Sequence, residues 1–287
     1  MRFVLCLAVS LALFLVPAVS VSAQPVPTLT PVWETDTLLT TVESAIYDPE
    51  TNLIYTTNID GHFMDKDGQG SISTVTTDGQ IQDARWITGL NAPTGTGIWE
   101  GHLFVTDLDA IVEIDIAAGA VVQRHAIEGA VALNDLAIDD EGTVFASDTG
   151  GNTIYALRDG TIEAVASGIE TPNGLHPEAG RLLITRWTPR SVDWLNLSDQ
   201  TLEPVAEGIP GPDGLEPVGD GRYLASGFNG LVYLIEAGRE KTLLLDTTEE
   251  GQRAADIEYI QTLNLLVVPT MQRNTLAAYR LNWDAGD

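Results

Sequence analysis

Six positions along the chain could bind a cation together. Glu43, Thr94, Asn134, Asn173, Asp213 and Asp256 recur about 40 to 50 residues apart. Their local runs are alike: Asn134-Asp135-Leu136-Ala137, Asn173-Gly174-Leu175 and Asp213-Gly214-Leu215. Glu43-Ser44-Ala45-Ile46-Tyr47 and Asp256-Ile257-Glu258-Tyr259 are looser copies, and Pro93-Thr94-Gly95-Thr96-Gly97-Ile98 fills the remaining interval. The set offers carboxylate, amide and hydroxyl oxygens, with no thiol and no imidazole. Such hard donors suit calcium or magnesium, whereas zinc selects Cys or His. Glu43 and Asp213 carry two negative charges, and Asn134 and Asn173 add neutral carbonyls. Together they would balance a divalent ion, and a wide site of adjustable geometry favours calcium. Asn, Asp and Gly are also ordinary turn residues, so the same positions could do no more than turn the chain.

The elements that would hold these positions together form a repeat. After each come a turn, such as Asp48-Pro49-Glu50-Thr51-Asn52, and an apolar strand, such as 53–56 or 144–147. An alternating strand follows, such as 153–157 or 231–235, and then an outer strand. Four short strands per interval of this length read as the blade of an all-β, six-bladed β-propeller, with antiparallel strands, over residues 24–287. An open ring would leave unpaired edges. The last repeat lacks a fourth strand, so Pro31-Val32-Trp33-Glu34-Thr35 is expected to pair with it and close the ring. In a blade the first strand runs along the central channel and the second returns. The six starting positions should therefore meet the return loops 58–70, 107–110, 148–152, 186–190, 228–230 and 270–274 at one mouth. Trp187, Phe228 and Met271 in these loops could wall an apolar pocket, and Arg186 or Arg190 could orient an anionic group.

The first residues read as a leader. Arg2 is followed by an apolar run over 3–19, and Val21-Ser22-Ala23 offers small residues for cleavage after Ala23. A signal peptide over 1–23 would leave about 264 residues and remove Cys6, the one cysteine. Export without disulfides points to a periplasmic or secreted protein, with no membrane attachment after cleavage. The formal net charge of −27 excludes nucleic acid as a partner, because phosphate binding needs a basic patch. The acid is spread along the chain, as on a solvated surface, and could still attract a cation at one face.

The runs Glu43-Ser44-Ala45-Ile46-Tyr47-Asp48, Leu133-Asn134-Asp135, Pro172-Asn173-Gly174-Leu175 and Pro212-Asp213-Gly214-Leu215, in this order and spacing, resemble the senescence-marker-protein/gluconolactonase family. That family is related to the paraoxonases and diisopropyl fluorophosphatase. The resemblance runs from about Glu34 to Leu281. It implies a calcium ion in the central channel held by Glu43, Asn134, Asn173 and Asp213. It also implies an acidic companion at Asp135, and it places Glu216, with Asp256, near where some members bind a second ion. The activity implied is calcium-dependent hydrolysis of a lactone or other activated ester, a small-molecule substrate, with Asp213 as ligand and as general base or nucleophile. The chain departs from paraoxonases in its histidines. None of His62, His102, His125 and His176 starts an inner strand, and only His62 lies in a mouth loop. Asp65-Lys66-Asp67-Gly68 lacks the rest of a calcium loop and reads as a surface turn. A non-catalytic binding or scaffolding propeller with a structural metal is the other class the sequence allows, because fold alone does not fix function. A relative of strictosidine synthase is a third, with less in common at the ligand positions.

Overall fold

The computed structural model describes residues 26–283. The expected leader, residues 1–23, lies outside them. Within this span the chain forms six four-stranded antiparallel sheets, and its one helical element is a single 3-10 turn, Gln261–Leu263. Local chemistry sets the turns. The Asp48 carboxylate accepts the Glu50 and Thr51 amides at 3.0 and 3.2 Å, and Asn52 takes a positive φ of 58°, a conformation Asn tolerates.

Blades 1 to 5 open on inner strands Val42–Asp48, Pro93–Trp99, Leu133–Ile138, Pro172–Glu178 and Pro212–Gly219. Each is hydrogen-bonded to the next strand of its own sheet and packs against the inner strands of its neighbours in a closed cycle. The hydrophobic core lies between blades. Tyr55 and Ile72 of blade 1, for example, pack with Leu103, Val105, Val112 and Ile114 of blade 2. Each blade must bury both faces, which is why the second strands read as apolar runs, and only a closed ring supplies a neighbour for every face.

Closure comes from the expected segment. Thr28–Glu34 pairs antiparallel with Leu276–Asn282 and completes the sixth sheet. The Thr35 amide donates to the Leu276 carbonyl at 2.9 Å, which carries the pairing past the strand end. The sixth inner strand differs from the expectation. It is only Glu258–Ile260, and Asp256 lies outside it, bridged in parallel to Ser44 of blade 1.

Candidate functional site

A bulge at the start of each of the first five inner strands creates the site. Pairing with the second strand slips between Val42 and Ala45, Pro93 and Thr96, Leu133 and Leu136, Pro172 and Leu175, and Pro212 and Leu215. Two residues are left out of register in each blade, and such a bulge re-aims side chains. The first of each pair is Glu43, Thr94, Asn134, Asn173 or Asp213, and all five line the upper end of the channel.

Buried hydroxyls hold the bulges. Thr57, Thr106, Ser147, Thr185 and Ser226 occupy matching places near the ends of the second strands, all with no exposure. Thr57 accepts the Ser44 amide at 3.0 Å, Ser147 that of Asp135 at 3.0 Å, and Ser226 that of Gly214 at 2.8 Å. Thr106 donates to the Asn134 carbonyl at 2.5 Å and Thr185 to the Asp213 carbonyl at 3.0 Å, so each also ties the next blade's ligand position. The second bulge residue faces a neighbouring blade at close range. A Cβ on Gly174 would run into the Asp213 carbonyl oxygen, and one on Gly214 would come within 2.5 Å of the Ile257 nitrogen. The Asn-Gly and Asp-Gly steps are therefore packing requirements as well as turns.

The upper cavity has a volume of about 590 Å³. Glu43, Asn134, Asn173 and Asp213 form its floor. Its walls are Ile59, Phe63, Met64, Trp187, Phe228 and Met271, from the return loops of four blades. The segment Val131-Ala132-Leu133 adds a third-blade edge, fixed because Asp148 accepts the Val131 and Ala132 amides at 3.0 and 2.9 Å. Trp187, Phe228 and Met271 thus stand where the sequence placed them. Ile59, Phe63, Met64 and Val131 were not singled out, although apolar residues inside a turn-rich loop were a usable signal.

The floor acids are buried without a countercharge. Glu43 is 4% exposed, Asp213 3% and Asn173 2%. Among the described residues no Lys, Arg or His forms an ion pair with Glu43 or Asp213. Glu43 Oε2 and Asn173 Oδ1 have no hydrogen-bond partner among the described residues. Burial raises the Glu43 pKa well above the carboxylate range, and the charges of Asp213, Asp256 and Asp135 add to it. Burial raises Asp213 too, then the Asp256 charge, while a hydrogen bond from Asn173 pulls the other way. Unpartnered acceptors and uncompensated acid fit a cation. Among the described residues no three carboxylate, imidazole or thiol groups converge as a metal cluster, so a cation here would need the amide oxygens as well.

A second cavity of about 330 Å³ opens at the other end of the channel. Asp135, Glu216, Asp256, Glu258 and His176 line it, so Asp256 belongs below the floor and does not join the upper set. Here the acids have protein donors. Asp135 accepts the Leu136 and Leu175 amides at 2.7 and 2.6 Å, and Asp256 accepts the Ser44 hydroxyl at 2.8 Å. Burial is the main cause that raises Asp256 to about 6 and Glu258 to about 8. Two further hollows lie on blade edges, away from the channel.

Among the described residues no histidine lines the upper cavity. His62 is on the rim loop, exposed, with Asp65 at 3.9 Å, while His102 and His125 both contact Glu113 on blade 2, at 2.5 and 3.1 Å. Neither Arg186 nor Arg190 lines the cavity, and the Arg186 Nε donates to Asp193 at 2.9 Å. Residues 65–68 are exposed surface loop, as expected, and Asp67 accepts the Gln69 amide at 2.9 Å.

Comparison of the sequence with known protein families finds no match, and comparison with curated proteins finds none either. Solved structures do match. One is a protein with a provisional gluconolactonase assignment, 17% identical, with a TM-score of 0.65 over 89% of this chain and 92% of that one. A second is a catalytically inactive variant of virginiamycin B lyase from Staphylococcus aureus with quinupristin. It is 12% identical, with a TM-score of 0.62 over 89% and 99% of the two chains. A third is a chain of a nidogen/laminin complex, 17% identical, with a TM-score of 0.64 over 76% and 84%. At these identities the likeness establishes the propeller fold, which serves both catalysts and assemblies.

Proposed function

We propose that the protein is an exported, metal-dependent hydrolase of a cyclic or activated ester, most simply a lactone. Glu43, Asn134, Asn173 and Asp213 would hold the ion, calcium by the hardness and number of their oxygens. The observation that carries this reading is the pair of buried, unpartnered acceptors, Glu43 Oε2 and Asn173 Oδ1, at the floor of a cavity of ligand size. A buried acceptor without a donor is costly unless a ligand satisfies it. The provisional gluconolactonase among the structural neighbours agrees with this reading.

A bound divalent cation would polarise the ester carbonyl as a Lewis acid. The chain's own residues do the rest. Asp213 presents the carboxylate that takes the proton from the attacking water, or that attacks the carbonyl itself. The Asn173 amide beside it opposes the effect of burial and favours the ionised form. With a substrate seated between them, the apolar walls would keep bulk water from the floor and strengthen the electrostatic interactions there.

The test is metal analysis of the purified protein, then a panel of lactones and aryl esters with and without chelator. A protein that holds calcium, turns over a lactone and loses that activity to chelator supports the reading. A protein with no divalent ion, or one that turns over nothing on the panel, sinks it. Product mass separates hydrolysis from the elimination expected of a lyase like the second neighbour, since only hydrolysis adds water. The exposed apolar rim gives a second reading some support. On it the mouth is a binding face with a structural metal, as in a propeller that serves an assembly.

A further inference from the structure

The walls of the upper cavity specify more than the floor does. Phe63, Met64, Val131 and Trp187 are 57%, 40%, 51% and 38% exposed, and all four line this mouth. They come from separate loops of blades 1, 3 and 4, and Trp187 leans on Phe228 of blade 5 with ring centroids 5.4 Å apart. Seven other large apolar residues of the described chain are about as exposed, Leu38 most of all at 59%, but none of them lines a channel mouth. A chain of net charge −27 has thus put an apolar collar around one opening.

The polar atoms on the walls are already used. The Thr149 hydroxyl donates to the Pro172 carbonyl at 2.6 Å. The Thr94 hydroxyl packs against the Thr106 hydroxyl at 2.8 Å and the Asn134 carbonyl at 2.7 Å, and its one proton goes to one of them. Arg186 is held by Asp193, and Arg253 stacks on Phe228, 4.9 Å from its centroid, without lining the cavity. The free acceptors are at the floor, where the ester group would sit. A sugar lactone would carry its hydroxyls up past these walls and leave them without partners, at a cost for each. An anionic tail would meet no cation. From this we infer that the substrate is an uncharged lactone or ester whose remaining part is an alkyl or aryl group. That group lies between Phe63 and Met64 on one side and Trp187 and Phe228 on the other.

This inference rests on the hydrolase reading for the word substrate, so the test includes a measurement that needs no turnover. Binding of γ-alkyl lactams, which share the ring shape and resist hydrolysis, is followed by tryptophan fluorescence and by thermal shift in saturating calcium. The dissociation constant should fall about fourfold for each added methylene until the cavity is full. Trp187→Ser and Phe63→Ser should weaken the long-chain lactams about tenfold or more and barely change the shortest. In the matching lactones, kcat/KM should climb with the same slope, and glucono-δ-lactone should be the poorest of the set. Lactam binding that ignores chain length, or a preference for glucono-δ-lactone, overturns the inference and leaves the hydrolase reading intact. Length-dependent lactam binding with no lactone hydrolysed does the reverse.

Discussion

The two ends of the channel are built by the same inner strands, and they treat their acids in opposite ways. At the lower end Asp135 is satisfied by two backbone amides and Asp256 by the Ser44 hydroxyl. At the upper end Glu43 Oε2 and Asn173 Oδ1, on residues that line the cavity, have no hydrogen-bond partner among the described residues. Bulges make the difference possible, because each puts two adjacent residues into one blade's entrance and sends them to different surroundings. An acid supplied with donors by the fold has its acceptors satisfied without a ligand. An acid left without them costs stability, and it is retained where a ligand will complete it.

The largest expected effect breaks the upper end. Asp213→Asn keeps the shape and an oxygen but removes the charge, and kcat in saturating calcium should fall about a thousandfold with the fold intact. A variant that hydrolyses every active substrate at the parent's rate with calcium bound would show that this carboxylate is no catalyst. Next in size is the ion itself. Calcium at a hundredfold excess over its Kd should stabilise the parent by about 2.7 kcal/mol, read as a rise in Tm that chelator reverses. Glu43→Gln should lose most of that rise, and its metal-free form should melt above the metal-free parent, since a buried, unpartnered charge is gone. A Glu43→Gln protein that responds to calcium like the parent would move the ion elsewhere.

The lower end should answer with the opposite sign. Asp135→Asn sets an NH2 group against the Leu136 or Leu175 amide and leaves a buried donor unmatched. Stability should drop by about 2 kcal/mol, or roughly 5 °C in Tm, while kcat well below the transition stays close to the parent's. If this variant melts like the parent but loses turnover, Asp135 is working for the site above it.

The division between the two ends was only half visible in the sequence. The blades were legible because each repeats the same turn and strand pattern, and the closing strand because the last repeat is one strand short. The upper set was legible for a similar reason, since one oxygen donor recurs at the same place in each blade. What the sequence hid is direction. Asp256 matches Asp213 in spacing, yet the sixth inner strand is only Glu258–Ile260, so Asp256 pairs with Ser44 and turns toward the lower mouth. Asp135 sits beside Asn134 in the chain and on the other side of the floor in space. The row of hydroxyls at Thr57, Thr106, Ser147, Thr185 and Ser226 was available as a repeat, one residue before the end of the second strand in the first five blades, but its partners lie on the inner strand alongside or in the next blade. The fate of Arg186 was hidden likewise, because Asp193 reaches it across a strand pair.

The smallest expected effect is a slope, and it tests whether the lower acids are held by protons. Glu258 is raised from an ordinary value of 4.5 to about 8, mainly by burial, with the Asp256 charge adding and a hydrogen bond from the Tyr47 amide opposing. Between those values the unfolded chain gives up this proton and the folded chain keeps it. Stability from this group is therefore complete below about pH 4.5, declines as pH rises toward 8, and is level above. Glu258→Gln keeps an acceptor for the Tyr47 amide and cannot titrate, so its Tm should decline less than the parent's from pH 5 to pH 8.5. The comparison belongs in saturating calcium, which takes the upper carboxylates out of the titration. A parent whose Tm instead rises with pH in calcium, with the rise abolished in Glu258→Gln, would mean that the lower acids ionise to hold a cation. The contrast between the two ends of the channel would then be one of degree, with both ends completed by a ligand and neither by the fold alone.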